Sequence, residues 1–205
     1  MSRLALPSQV VDRRIIAIAR KVPLDRLMDV AAVLADHAIP IIEVTLDGDD
    51  ALDAIERLAG NGAVVVGAGT VRSIADVDRA SAAGASFIVS PHTDARIIEH
   101  ALSESIPVVP GALTPTEVVA AWDLGASAVK LFPASTGGPA HVRAIGGPLG
   151  DIPLVATGGV DAGNAASFLD AGAVAVGVGG WLTGGTDLEV VAERARLLVE
   201  VTRRS

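Results

Sequence analysis

Eight short runs rich in valine and isoleucine alternate from end to end with amphipathic segments, the pattern of a single α/β domain folded as a (β/α)8 (TIM) barrel. Composition agrees. Of the 205 residues 50% are hydrophobic, yet aromatics make up 2% and tyrosine is absent. Ala, Val, Ile and Leu must therefore fill the interior, as suits buried parallel strands covered by helices. Spacing is the third sign. The candidate strand ends Thr70, Ser90, Pro110 and Lys130 follow at 20-residue intervals, and Glu43 and Thr157 lie 27 residues outside that series on either side. Eight strand–helix units fit this length, near the lower limit of about 200–250 residues for such barrels. A doubly wound open sheet is the competing fold and would show fewer units.

The strand-like runs are IIAIA (15–19), IPIIEVTL (39–46), AVVVGAG (63–69), SFIVS (86–90), IPVVPG (106–111), SAVKLF (127–132), PLVAT (153–157) and VAVGVG (174–179). Between them lie helix-like segments at 23–37, 49–59, 73–83, 93–103, 114–125, 164–172 and 187–201. Ser73, Thr93 and Thr114 open three of these as capping residues, and Glu117 completes a capping box with Thr114. AAGASFIVS, DLGASAVKLF and DAGAVAVGVG form a weak internal repeat, each placing Gly-Ala at a helix end before a strand. No linker or composition shift divides the chain, so residues 1–205 are expected to form one domain. Segment 1–14 is expected to be an N-terminal helix or lid over the barrel base.

Bulk chemistry excludes several classes. A net charge of −8 disfavours nucleic acid and anionic membranes as partners, and leaves an anionic substrate to be held by a local positive feature. With no cysteines there is no disulfide framework or thiolate chemistry, which fits a reducing cytoplasm. MSRLALPSQVVDRR lacks the apolar core and cleavage site of a signal peptide. The longest uncharged stretch, Ala171 to Thr186, is glycine-rich and short of a membrane span. The histidines at 37, 92, 100 and 141 have no metal-ligand spacing, so no metal site is expected. Nucleotide-loop and nucleophile-elbow motifs are missing as well.

Two charges stand out inside apolar strands. The chain has only two lysines, Lys21 and Lys130, and Lys130 sits in SAVKLFP. A lysine there is costly unless it has a task or a partner. An amine kept from water is more often neutral, and a neutral amine attacks a ketone to form an imine. Glu43 makes the matching anomaly in IPIIEVTL, where alternation puts Ile41, Glu43 and Thr45 on one face. Strands two and six of a barrel face each other, so Glu43 and Lys130 are expected in the core near its upper rim, with Glu43 shuttling protons. The bland alternative is a structural ion pair, or a Lys130 that carries its ammonium to the mouth. Thr70, Pro91, His92 and Phe132 lie at other strand ends, and an aromatic beside an imine excludes water. TGGV (157–160) and GVGG (177–180) end the last two strands, where barrels often cradle phosphate on backbone amides; tight turns alone also use glycine.

In this order IIEVTL, GAGTV, IVSPH, VVPGALTPTE, AVKLFPAS, TGGV and VGVGGWL resemble the 2-keto-3-deoxy-6-phosphogluconate (KDPG) aldolase family. That family includes 4-hydroxy-2-oxoglutarate and 2-keto-3-deoxy-6-phosphogalactonate aldolases. The likeness runs from about Ile15 to Leu182. It implies a homotrimer of (β/α)8 barrels without metal or cofactor, acting on pyruvate and 2-keto-3-deoxy sugar acids. It implies Lys130 as Schiff-base lysine, Glu43 as general acid/base, and Thr70, Pro91 and Phe132 around pyruvate. Gly158, Gly159, Gly179 and Gly180 would form the phosphate site. Two positions depart from the pattern. Asp47 stands where many members carry a carboxylate-binding Arg, and Gly180 where many carry a Ser. Galactonate-type members place an Arg at the end of strand one, which assigns the carboxylate to Arg20 here; the PASTGGP loop (133–139) also looks closer to that type. The resemblance therefore implies a class I aldolase releasing pyruvate and an aldehyde, phosphorylated or not. The alternatives are a non-covalent phosphate-binding barrel isomerase or epimerase, and a catalytically silent sugar-acid binder.

Overall fold

A computed structural model describes residues 3–185 and 187–203. Met1 and Ser2 of the N-terminal segment, and Thr186 at the end of the glycine-rich stretch, lie outside the described residues. The strands are β1 (Ile15–Ala19), β2 (Ile41–Thr45), β3 (Val65–Gly69), β4 (Ile88–Val89), β5 (Val108–Val109), β6 (Gly111–Ala112), β7 (Val129–Leu131), β8 (Leu154–Thr157) and β9 (Ala175–Val178). All pair in parallel with sequence neighbours, β1 also pairs with β9, and β5 and β6 stand at the two ends of the order. An open doubly wound sheet would reverse its strand order at a switch point. Here the order closes on itself.

Closure runs through Pro110. Proline has no N–H to donate, so it splits one barrel strand into β5 and β6. The ladder to the next strand survives because carbonyls carry it. Ser127 N donates to Val108 O (2.9 Å), Lys130 N to Pro110 O (2.9 Å) and Phe132 N to Ala112 O (2.9 Å). Counting β5 and β6 together gives eight barrel positions, with β7, β8 and β9 at six, seven and eight.

The helices are α1 (Ser8–Arg13), α2 (Leu24–Asp36), α3 (Ala51–Asn61), α4 (Ile74–Ala82), α5 (Ala95–Ser103), α6 (Pro115–Asp123), α7 (Gly138–Gly146), α8 (Ala165–Asp170), α9 (Gly180–Thr183) and α10 (Leu188–Arg203). Leu27, Val30 and Leu34 of α2 recur at helical spacing and are fully buried in the layer between strands and helices. Each such side chain contributes about 1.5–3 kcal/mol. Ser73 and Thr114 cap α4 and α6 as expected, and the Thr114–Glu117 capping box is formed. Gly84, Gly125 and Gly172 of the repeat take positive φ, the left-handed turn that frees the chain to enter the next strand.

Two local expectations fail. Thr93 is not the cap of its helix: Asp94 accepts from Arg96 N, while the Thr93 hydroxyl donates to Gly111 O (3.0 Å). A carboxylate is the better acceptor for exposed amides, and Thr93 is drawn off by a carbonyl of the neighbouring strand position. The PASTGGP stretch is not wholly loop: a 3-10 turn spans Ala134–Thr136 and α7 starts at Gly138, with Pro139 in its first turn, where its missing N–H costs nothing.

The barrel interior divides in two along its axis. Ile16, Ile41, Phe87, Val89, Val109, Ala128, Val155 and Ala175 fill the N-terminal half, and Val10 of α1 packs into the same cluster with no exposed surface. The C-terminal half carries the charges.

Candidate functional site

Inward positions at the C-terminal half are few and small. Glu43 lies beside Ile18 and Gly67 in the ladder, and Lys130 beside Gly111 and Val155. Alternation aims both side chains into the barrel. A Cβ at Gly69 would collide with the Glu43 carboxylate, one at Gly111 with the Pro91 backbone, and one at Gly177 with the Thr157 side chain. Glycine at these three positions leaves room for Glu43 and the groups around it. Gly158 and Gly159 take φ of +97° and +75° and pass close to Phe132 and Ser135, so their freedom serves the rim's shape as well as any ligand.

The Lys130 Nζ stands 3.6 Å from Glu43 Oε1, with side chains 9% and 3% exposed. That separation is an ion pair without a tight hydrogen bond. Glu43 Oε1 is buried and has no hydrogen-bond partner among the described residues. A buried carboxylate oxygen left this way is costly, and a structural pair would be expected to close on it. The separation leaves an acceptor facing an amine without a tight bond joining them. The Phe132 ring centroid lies 5.3 Å from Nζ and gives the amine an apolar wall.

Lys130, Glu43, Arg20, Thr70, Pro91, Phe132, Gly158, Gly159, Gly179 and Gly180 all line one cavity of about 620 Å³. His92 does not line it; its Nδ1 faces the Ser90 hydroxyl at 3.3 Å. Thr70 holds φ of +57°, a costly setting for a β-branched residue of the kind that collects at functional rims. Asp47 and Arg20 meet across the rim, with Oδ2 2.9 Å from Nη2 and 3.0 Å from Nε. Burial alone would push the Asp47 carboxyl up. Thr45, Arg20 and the Lys21 charge outweigh it and hold the group below the ordinary carboxylate range. Asp47 thus stays charged and is neutralised by Arg20 rather than standing bare before a ligand.

Sequence reasoning did not pick out Ile18, Thr45, Arg72, Asp161 and Trp181 as lining residues, and it marked Thr157, Val160 and Gly177 only as parts of the TGGV and GVGG segments. Thr45 and Thr157 share the inward alternation of Glu43 and the strand-end register, a signal strong enough to have found them. Arg72 and Asp161 sit on rim loops, where no periodicity marks which side chain turns inward.

A family model described as "KDPG and KHG aldolase" matches residues 7–193. A probable 2-dehydro-3-deoxy-6-phosphogalactonate aldolase of Rhizobium meliloti (strain 1021) is 36% identical over 183 residues, covering 87% of this chain and 85% of the relative. A solved structure described as native KDPGal superposes with a TM-score of 0.88 at 31% identity, covering 93% of this chain and 94% of that one. KDPG aldolase from Legionella pneumophila, solved with pyruvate captured at low pH as a covalent carbinolamine intermediate, superposes with a TM-score of 0.81. It is 26% identical and covers 97% of each chain.

Proposed function

Because the chain belongs to the KDPG and KHG aldolase family, we propose that it reversibly cleaves a 2-keto-3-deoxy sugar acid to pyruvate and an aldehyde through a Schiff base on Lys130. It is an aldolase, hence a lyase. The observation that carries the reading is a near-buried amine 3.6 Å from a buried carboxylate oxygen that has no hydrogen-bond partner among the described residues, both lining one barrel cavity.

In this mechanism the neutral Lys130 amine attacks the C2 ketone. Loss of water gives a protonated imine, an electron sink. Glu43, through a water, takes the C4 hydroxyl proton. The C3–C4 electron pair moves into the imine, the aldehyde leaves, and a pyruvate enamine remains on Lys130. Protonation at C3 and hydrolysis release pyruvate. Phe132 and Pro91 keep water from the imine. Arg20 and Thr70 bind the carboxylate; Nε and Nη2 of Arg20 are engaged by Asp47, so Nη1 is the nitrogen it offers.

A phosphate at the far end of the substrate would rest on the backbone amides of Gly158, Gly159, Gly179 and Gly180. Of the cations of the cavity, Lys130 is taken by the imine, Arg20 by Asp47, and Arg72 stands opposite on the loop after β3, so in this reading the backbone amides carry the hold. Asp161 lines the same rim, its Oδ1 taken by the Gly163 amide (2.8 Å). Glyceraldehyde 3-phosphate is the product if the acid is of the KDPG type. A cytoplasmic homotrimer belongs to the same reading, and a monomer by analytical ultracentrifugation would remove the trimer.

Borohydride reduction with pyruvate tests the mechanism. A single intact-mass adduct should form in the wild type and vanish in Lys130→Ala. No adduct in the wild type removes the covalent mechanism and leaves a non-covalent isomerase or epimerase as the reading to pursue.

A further inference from the structure

We propose that Arg72 is a substrate-positioning residue that supplies the positive charge for the α-carboxylate of the substrate, an assignment that rests on the aldolase reading above. Arg72 follows Thr70 by two residues on the loop after β3 and lines the catalytic cavity with it. The other two cations of that cavity already face a carboxylate. Lys130 faces Glu43, and Arg20 is engaged by Asp47 through two nitrogens. Among the described residues the Arg72 guanidinium makes no ion pair. The nearby acid in sequence, Asp76, is occupied: its Oδ2 accepts the Arg72 backbone amide (2.9 Å) and its Oδ1 the Arg79 guanidinium (2.6 Å). Those bonds fix the Arg72 backbone at the rim and leave its side-chain charge for something else.

Topology decides which substrate anion it meets. In a ring of eight strand positions, β3 stands opposite β8. Once C2 is bonded to Lys130 at position six, the C1 carboxylate and the C3–C6 chain leave C2 in different directions. The amides after β8 and β9 are assigned to the phosphate end, so the carboxylate is left the opposite side of the mouth, toward Thr70 and Arg72. Arg20 then contributes donors while its charge is cancelled by Asp47, and Arg72 contributes the uncancelled charge. A guanidinium suits this task because its fork matches a carboxylate.

Pyruvate isolates the question, because it carries the carboxylate and no phosphate. The yield of borohydride-trapped adduct is measured against pyruvate concentration for wild type, Arg72→Gln and Arg72→Lys. Half-saturation should rise about tenfold in Arg72→Gln, the loss of one charge-assisted contact, with the saturated adduct unchanged, and Arg72→Lys should recover most of the shift. An equal saturated yield also shows that the variant is folded. Half-saturation within about twofold of wild type overturns the assignment, as does an Arg72→Lys value equal to that of Arg72→Gln. An unchanged pyruvate curve with a raised KM for a phosphorylated acid would move Arg72 to the other end of the substrate and refute it equally. An adduct absent from the wild type itself would sink the Schiff-base reading, and this assignment with it.

Discussion

Gly69→Ala separates the two halves of the proposed mechanism, because it moves Glu43 and leaves Lys130 alone. The new Cβ would lie 2.6 Å from both Cγ and Cδ of Glu43. Ordinary carbon contacts begin near 3.5 Å, so the carboxylate must shift by roughly 1 Å. It cannot retreat freely, since its side chain is 3% exposed. A misplacement of about 1 Å in a group that handles protons costs on the order of 100-fold in kcat. Overpacking of this kind also costs about 1–3 kcal/mol of stability, and each kcal/mol lowers Tm by about 2–4 °C in a domain of this size. Turnover is read by coupled pyruvate release, imine formation by borohydride trapping, and folding by thermal melt. The expected outcome is a kcat about 100-fold down, a full-yield pyruvate adduct and a modestly lowered Tm. A folded variant with kcat within about threefold of wild type would show that the position of Glu43 is immaterial to turnover. Loss of the adduct at unchanged stability would show that Gly69 acts on Lys130 instead.

Glu43→Gln keeps the shape and removes the base, so kcat should fall by about 10²–10⁴ while the trapped adduct persists; undiminished turnover contradicts the acid/base role. Asp161→Asn keeps the acceptor for Gly163 and removes a charge from the rim assigned to phosphate. The KM of a phosphorylated acid should drop severalfold and that of its unphosphorylated counterpart stay put; parallel changes in both would refute phosphate binding at that rim. The Glu117 carboxyl is held below its ordinary value first by the Leu113 amide, then by the amide and hydroxyl of Thr114. A depressed folded-state value means the stabilisation is complete above about pH 4.3 and fades as pH falls through the lower folded value. Glu117→Gln should therefore melt about 2–4 °C below wild type at pH 7, with the gap closing in acid; a gap that widens in acid would reverse the sign.

What the sequence made legible follows from cost. A lysine and a glutamate in the middle of apolar strands are expensive, so Lys130 and Glu43 stand out without any structure, and period-two alternation already places them on the inner face. The strand and helix order was legible for the same reason, since each run hides a different apolar face. Loops carry no such periodicity. Arg72 looks like any other exposed basic residue until the barrel closes and its loop joins the cavity rim. Asp47 reads as a carboxylate opposed to the substrate until Arg20, from the preceding strand, is found against it. The break at Pro110 was hidden because IPVVPG is equally apolar whether or not its ladder is continuous. Whether Thr93 or Asp94 caps α5 turned on a carbonyl at Gly111, 18 residues away.

The division of the interior explains how a chain so poor in aromatics keeps a polar cavity within its core. Phe87, fully buried, lies where a Cβ at Gly67 would stand, and Gly67 pairs with Glu43 in the ladder. Its ring therefore lies beside the level of the carboxylate and adds to the close-packed lower half. Above that level the strands contribute Gly69, Gly111 and Gly177 inward, and side-chain volume gives way to space. Packing loss is thus confined to one end of the barrel, where the charges need room for water and substrate. The close-packed other end, sealed by Val10, carries the stability that such an opening would otherwise remove. Lys130 and Glu43 stay 3.6 Å apart, Oε1 without a hydrogen-bond partner among the described residues, with packed side chains below them and the cavity beside them. A fully packed barrel would have pressed them into a tight ion pair with no acceptor left for chemistry.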